Sequence, residues 1–270
     1  MKSFKVAIHG VPRSGTSWIG SIFDSSKNVV YRNQPLFSFA FKSFLNEESS
    51  GNEIDDFFES ISKSNDDYIT QKEGKNNGLI PDFDKGLQTH IVYKEARYHH
   101  ILPNMLSNDK DVKVVGIIRN PKSVISSWMN APKEFNNKEW DIFTEWKDAN
   151  LKNLKAPEEF YGYNKWKETA LNFLELKNKY PKRFYILNYK TLLNDTENEV
   201  RNLFSFCNIS IDSQTINFLK KGQNIDLSHE AYSVYRKNQK DDKWKNHLPI
   251  QIINEIDKDL IKSGLELYIN

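Results

Sequence analysis

What this chain has little of narrows the reading first. Among 270 residues there is one cysteine, Cys207. No internal disulfide can form, and the thiol lies in the apolar run Leu203-Phe204-Ser205-Phe206-Cys207, the setting of a core residue rather than a nucleophile. No stretch approaches the roughly 20 apolar residues of a membrane span. The first apolar run is short and leads into a glycine loop, unlike a secretory leader. Together these absences set the expectation of a cytoplasmic protein. Excess charge is missing too. Lys and Arg number 38 against 36 Asp and Glu, a net charge of +2, so nothing in the overall charge calls for nucleic acid. No His, Cys, Asp and Glu cluster has metal-ligand spacing, and no metal is expected. There is no internal repeat and no clear linker, so residues 1–270 are expected to form a single domain.

What is present is apolar and aromatic residue in the amounts a core needs, 38% and 13% of the chain. Short apolar runs at Phe4–Ile8, Val29–Tyr31, His90–Lys94, Val112–Ile118 and Phe184–Leu187 read as strands; the fourth is rich in β-branched residues. Helical patterns lie between them. Strands alternating with helices predict an α/β fold, a central parallel sheet with helices on both faces. Ligands in such folds sit at the carboxyl ends of the strands. Pro35–Leu45 reads as an aromatic helix near that edge, and Ser64–Gly78 as a mobile surface loop.

The densest signal follows the first strand. Gly10, Pro12 and Gly15 break it, and from Thr16 the pattern is helical, with Ile19, Ile22 and Phe23 on one face. A strand, a tight glycine loop and a helix N-terminus form an anion cradle, to which Arg13, Ser14, Thr16 and Ser17 add donors. An ordinary βα turn has the same outline. The nucleoside-triphosphate version of the loop needs a Lys after its second glycine and a hydroxyl for Mg²⁺. Here Thr16 follows Gly15, and the basic residue lies inside the loop as Arg13.

Pro12-Arg13-Ser14-Gly15-Thr16-Ser17-Trp18 resembles the 5′-phosphosulfate loop of sulfotransferases that use 3′-phosphoadenosine 5′-phosphosulfate, PAPS. Val115–Trp128 is similar to the family's 3′-phosphate motif. That likeness implies that Arg119 forks onto the phosphate and Ser127 reaches it from the following helix. Phe184–Asp195 is similar to a third family segment. It implies that Tyr189 faces the adenine with Trp18 on the other side; a core tyrosine is the competing reading. Ser233–Asn238, then Lys243-Trp244-Lys245-Asn246, resembles the family's late loop, with Arg236, Lys237 and Asn238 closing over the 3′-phosphate. Asn238 stands where the family has Gly, a replacement that positive φ tolerates. The resemblance runs from Val6 to Asn246 in family order. It implies a P-loop-like sulfotransferase fold, PAPS as donor and PAP as product.

The acceptor end departs from the family. Its catalytic histidine position is Ala96 in Lys94-Glu95-Ala96-Arg97, and the glutamate of other branches is Gln34 in Tyr31-Arg32-Asn33-Gln34-Pro35. Arg13 stands where the family has a catalytic Lys or Arg, and the resemblance implies that it serves the leaving group; Glu95 is assigned to the proton, against a reading in which it pairs with Arg97, Lys94 or Arg13. His99 and His100 are outside candidates for the base and read first as helix-surface residues. Segments 35–45 and 131–161 are expected to line an acceptor pocket for a carbohydrate or glycolipid, with a small phenol or alcohol second. A nucleotide kinase and a PAP-binding protein without turnover are the remaining alternatives.

Overall fold

The computed structural model describes residues 3–222 and 240–268. Five strands, β1 (Phe4–His9), β2 (Val29–Asn33), β3 (His90–Glu95), β4 (Lys113–Ile118) and β5 (Phe184–Asn188), form one sheet in the order β2-β3-β1-β4-β5. Every pairing is parallel. The register sets His9 of β1 beside Glu95 of β3 and beside Gly116 of β4.

Period-two alternation divides β1, β3, β4 and β5 between two cores, while β2 gives Val29 and Tyr31 to the second alone. Ala7, Ile91, Tyr93, Val114 and Phe184 face one core. It is filled from the helices Gly51–Lys63, Leu102–Asn108, Pro121–Met129, Tyr163–Lys179 and Ile250–Lys262. Val6, Ile8, Val92, Val115 and Leu187 face the other, against the helices Thr16–Asp24, Thr196–Cys207 and Ser213–Gly222. Both sheet faces are thus covered, as the uninterrupted apolar strands require. Each enclosed large apolar side chain contributes about 1.5–3 kcal/mol over exposure. Cys207 lies in the second core, and burial pushes its thiol up to about 12. No helix among the described residues is long and apolar enough to cross a membrane.

The connections after β1 and β4 run in opposite directions, toward β2 and toward β5. That divergence opens a crevice between their carboxyl ends. Loop Gly10–Gly15 lies on one side of it and Arg119 on the other.

Two expectations for the connections are corrected. Pro35–Leu45 is not a helix: only Pro35–Phe37 winds, as one 3₁₀ turn entered through Gln34 at φ +45°. The segment Ser64–Gly78 is not a bare loop but carries two short helices, Asp67–Thr70 and Lys72–Asn76. The Asp66 carboxylate accepts the Tyr68 and Ile69 N–H groups, a cap that starts the first of them.

Candidate active site

The loop after β1 is built by its own backbone. The Ser14 N–H donates to the Val11 carbonyl at 3.1 Å, and Arg13 and Gly15 take left-handed conformations at φ +72° and +86°. Gly15 is required twice over: its φ disfavours a side chain, and a Cβ there would lie 2.3 Å from the Tyr189 ring. This reversal starts the helix Thr16–Asp24, whose first N–H groups face the loop without a side-chain cap. The Ser14 hydroxyl is buried and has no hydrogen-bond partner among the described residues. An unsatisfied hydroxyl inside an N–H-lined loop suits an anionic ligand oxygen. Thr16 is buried, Trp18 half-buried and Ser17 exposed.

The second sequence segment meets this loop directly. Asn120 caps the helix Pro121–Met129 through the Lys122 N–H, and Pro121 fills its first turn. The helix carries Ser127 back over the loop, where the Arg13 Nε donates to its Oγ at 3.1 Å. Arg119, just past β4, donates from Nη1 to the Arg13 carbonyl at 2.7 Å. Its own carbonyl accepts the Trp166 indole N–H at 2.9 Å. The guanidinium lies 4.8 Å from the Tyr189 ring centre. Burial opposes its charge, but Tyr189 and Asp241 hold its pKa above the ordinary arginine value. Arg119 and Ser127 are therefore joined through Arg13.

Tyr189 opens the short helix Tyr189–Asn194, capped by Asn188. It is buried against Gly15, with Trp18 edge-on to its ring at 6.1 Å and 79°. The rings are neighbours in a corner rather than parallel plates either side of a base. Arg236, Lys237 and Asn238 lie outside the described residues.

Glu95 ends β3 fully enclosed, its Oε1 accepting the Leu36 N–H at 2.7 Å while Oε2 has no partner among the described residues. Burial raises its pKa, against the pull of Lys94. Among the described residues no ion pair reaches it. Arg97 turns instead to Glu159, with Nε 2.9 Å from both carboxylate oxygens.

His99 overturns its sequence reading. His99 is enclosed, with its Nδ1 3.0 Å from that of His9, whose Nε2 is 3.0 Å from the Tyr93 hydroxyl. Burial, then His100, lowers the His9 pKa to about 3. Burial, then His9, takes His99 well below its ordinary value. Two neutral rings at this distance share one proton, one donating and one accepting. The 3₁₀ turn His99–Ile101 directs His99 inward, a placement its local sequence does not encode. The adjacency of His9 to Gly10 was the available signal for His9.

Two carboxylates were missed altogether. The Glu134 Oε1 is 3.4 Å from the Arg13 Nη1, and its Oε2 accepts the Tyr161 hydroxyl at 3.3 Å. Tyr161 in turn accepts from Arg97 at 3.3 Å. A polar chain thus runs from loop Gly10–Gly15 to Arg97 and Gln34, whose Oε1 is 3.5 Å from the Arg97 Nη1. The second is Asp241, whose Oδ1 accepts from both Nε (2.9 Å) and Nη2 (2.5 Å) of Arg119. No motif marks either residue. Among the described residues no His, Cys, Asp and Glu group is placed to hold a metal ion.

A family model described as the sulfotransferase domain matches residues 4–263. Solved structures agree on the fold at low identity. A mouse sulfotransferase complexed with PAP is 13% identical, with a TM-score of 0.53 over 100% of this chain and 89% of that one. A retinol dehydratase in complex with retinol and PAP is 14% identical, TM-score 0.54, over 97% and 82%. A sulfotransferase from Alicyclobacillus acidocaldarius is 11% identical, TM-score 0.51, over 100% and 96%. No curated protein matches the sequence.

Proposed function

Since the chain belongs to the sulfotransferase family, we infer that it moves a sulfonate group from PAPS onto an acceptor hydroxyl, residues 1–270 acting as one domain. One observation carries the site assignment. Arg13, Ser127 and Arg119, drawn from two separate sequence motifs, form one hydrogen-bonded cluster at the crevice between β1 and β4. The orphaned Ser14 hydroxyl and the first N–H groups of the helix Thr16–Asp24 complete a cradle of the right sign for the 5′-phosphosulfate.

Sulfonyl transfer forms a bond from the acceptor oxygen to sulfur as the bond to the 5′-phosphate breaks. That bond's electron pair stays on PAP. Arg13 and the loop N–H groups neutralise the growing phosphate charge. Arg119 anchors the 3′-phosphate, and Tyr189 with Trp18 forms the wall for the base. Glu95 takes the acceptor's proton. Its support is the unpartnered Oε2 and a burial-raised pKa, which makes a stronger base than an exposed carboxylate. The Leu36 contact must open for an acceptor to reach it. A second reading gives the proton to Glu134, supported by its contact with Arg13 and its partial exposure.

The acceptor is proposed to be a carbohydrate or glycolipid. Phe37 and Tyr68 present exposed rings beside Gln34 and Arg97, an arrangement of aromatic faces and polar groups that suits a sugar. A small phenol or alcohol fits the same faces. The test follows PAP release from PAPS with alkyl glycosides and with phenols. Faster release with glycosides supports the proposal; faster release with phenols reassigns the acceptor. Tight PAP binding with no acceptor-dependent release makes the chain a PAP-binding protein instead.

A further inference from the structure

Resting on the assignment of Arg119 to the 3′-phosphate, we propose that Asp241 is a specificity-determining residue of the donor site. In this reading it is an internal carboxylate that competes with the 3′-phosphate for the Arg119 fork.

The donor arithmetic of the guanidinium sets up the competition. Arginine has five N–H donors, and only its edges present two in parallel. In Arg119 the Nε–Nη2 edge is taken by Asp241, with Nε 2.9 Å and Nη2 2.5 Å from the same Oδ1. One Nη1 hydrogen goes to the Arg13 carbonyl, so the Nε–Nη2 edge is fully taken while one hydrogen stays on each Nη nitrogen. The Tyr189 ring lies 4.8 Å from the guanidinium centre. A bidentate phosphate on the Nε–Nη2 edge has to displace the carboxylate, because both need the same hydrogens.

Asp241 is also held from behind. Its carbonyl accepts the Ser123 hydroxyl at 3.1 Å and the Trp244 indole N–H at 3.1 Å. The carboxylate is 12% exposed and Arg119 18%, so water screens the pair only in part. A carboxylate carries one negative charge, whereas a phosphate monoester carries about 1.5–2 near pH 7 and three acceptor oxygens. The phosphate can win the fork, but only by giving up part of its binding free energy. A nucleotide without a 3′-phosphate leaves the Arg119–Asp241 pair intact. The pair therefore lowers the affinity for PAP selectively, which speeds release of the product after transfer.

The test is calorimetric titration of the full chain with PAP and with 5′-AMP, for wild type, Asp241→Asn, Ser123→Ala and Arg119→Ala. Asp241→Asn should tighten PAP binding by about tenfold, the scale of one charge-assisted hydrogen bond, with AMP unchanged. Ser123→Ala, which only loosens the backbone of Asp241, should tighten PAP by a smaller factor and serves if Asp241→Asn does not fold. Stopped-flow release of PAP should slow in step. Unchanged or weaker PAP binding in Asp241→Asn, or in Ser123→Ala if that variant alone folds, overturns the proposal. Arg119→Ala separates the two levels of inference. If it weakens PAP while the other variants do nothing, the 3′-phosphate assignment stands and the Asp241 competition falls. If it leaves PAP unchanged, the assignment itself fails and takes the competition with it.

Discussion

The two ends of the site are built by different means. At the proposed nucleotide end, contiguous backbone does the positioning. Gly10–Gly15 folds on its own turn, Asn120 caps its own helix, and both follow directly from strand ends. At the proposed acceptor end, side chains from separated segments hold one another: Arg97 with Glu159, Tyr161 with Arg97 and Glu134, Glu134 with Arg13. A backbone-built cradle depends on strand register and on one glycine. A network of side chains depends on each member, since removing one leaves its partner's charge or hydroxyl unmatched.

Substitutions can break that contrast, and the largest effect is expected in the chemistry. Glu95→Gln should lower kcat by about 10²–10⁴-fold, the usual contribution of a positioned general base, with the Kd for PAP nearly unchanged. The pH profile should sharpen the result. A base must be deprotonated, so the wild-type rate falls as pH drops through its pKa. Because burial raises that pKa, the limb should lie above the ordinary carboxylate range and vanish in Glu95→Gln. If Glu134→Gln removes the limb while Glu95→Gln keeps it, the proton goes to Glu134.

Arg119→Ala comes next, on binding alone. Losing hydrogen bonds to a charged phosphate costs about 1.5–3 kcal/mol, so PAP affinity should fall about 10–100-fold while AMP affinity holds. Equal losses for both nucleotides would remove the 3′-phosphate from this arginine.

Gly15→Ala tests the backbone-built end. With φ at +86° and a Cβ 2.3 Å from the Tyr189 ring, the substitution strains the loop and displaces the ring together. A loss of about 1–3 kcal/mol is expected, several degrees in Tm by differential scanning calorimetry. A Tm within one degree of wild type (about 0.3–0.5 kcal/mol at this size) would show that the loop conformation is not required.

The smallest effect concerns the enclosed histidines below the loop. Burial, then His100, holds the His9 pKa near 3, and His99 is also depressed. Between about pH 6.5 and 3 the unfolded chain therefore binds protons that the folded chain refuses. By linkage, stability falls as pH drops through that window, by at most about 1.4 kcal/mol per pH unit for each histidine. Tm should be lower at pH 5 than at pH 7, with a shallower slope in His9→Asn. An equal slope in both proteins would mean that His9 is charged in the fold.

The strands, the parallel sheet with helices on both faces and the glycine loop after β1 were legible in the sequence because each is encoded by neighbours. Apolar runs bounded by turn residues mark β1 through β5, and glycine spacing marks a loop that only glycine can form at Gly15. Arg119 and Ser127 were legible as a spaced pair on a strand end and its helix. The segment Pro35–Leu45 misled because its aromatic content suits a helix, whereas Ser38, with its side chain on the Pro35 carbonyl, closes the turn after one winding.

Sequence alone thus determined the strands of the sheet, the glycine loop and the identity of the cations around it, since local spacing and backbone chemistry are written within short windows. Only the tertiary structure decided which carboxylate meets which cation. Arg97 takes Glu159 rather than Glu95, Arg13 takes Glu134, and Arg119 takes Asp241. Those choices depend on distances between segments far apart in the chain, and electrostatic pairing in a partly buried crevice is settled by that geometry and by the water it excludes.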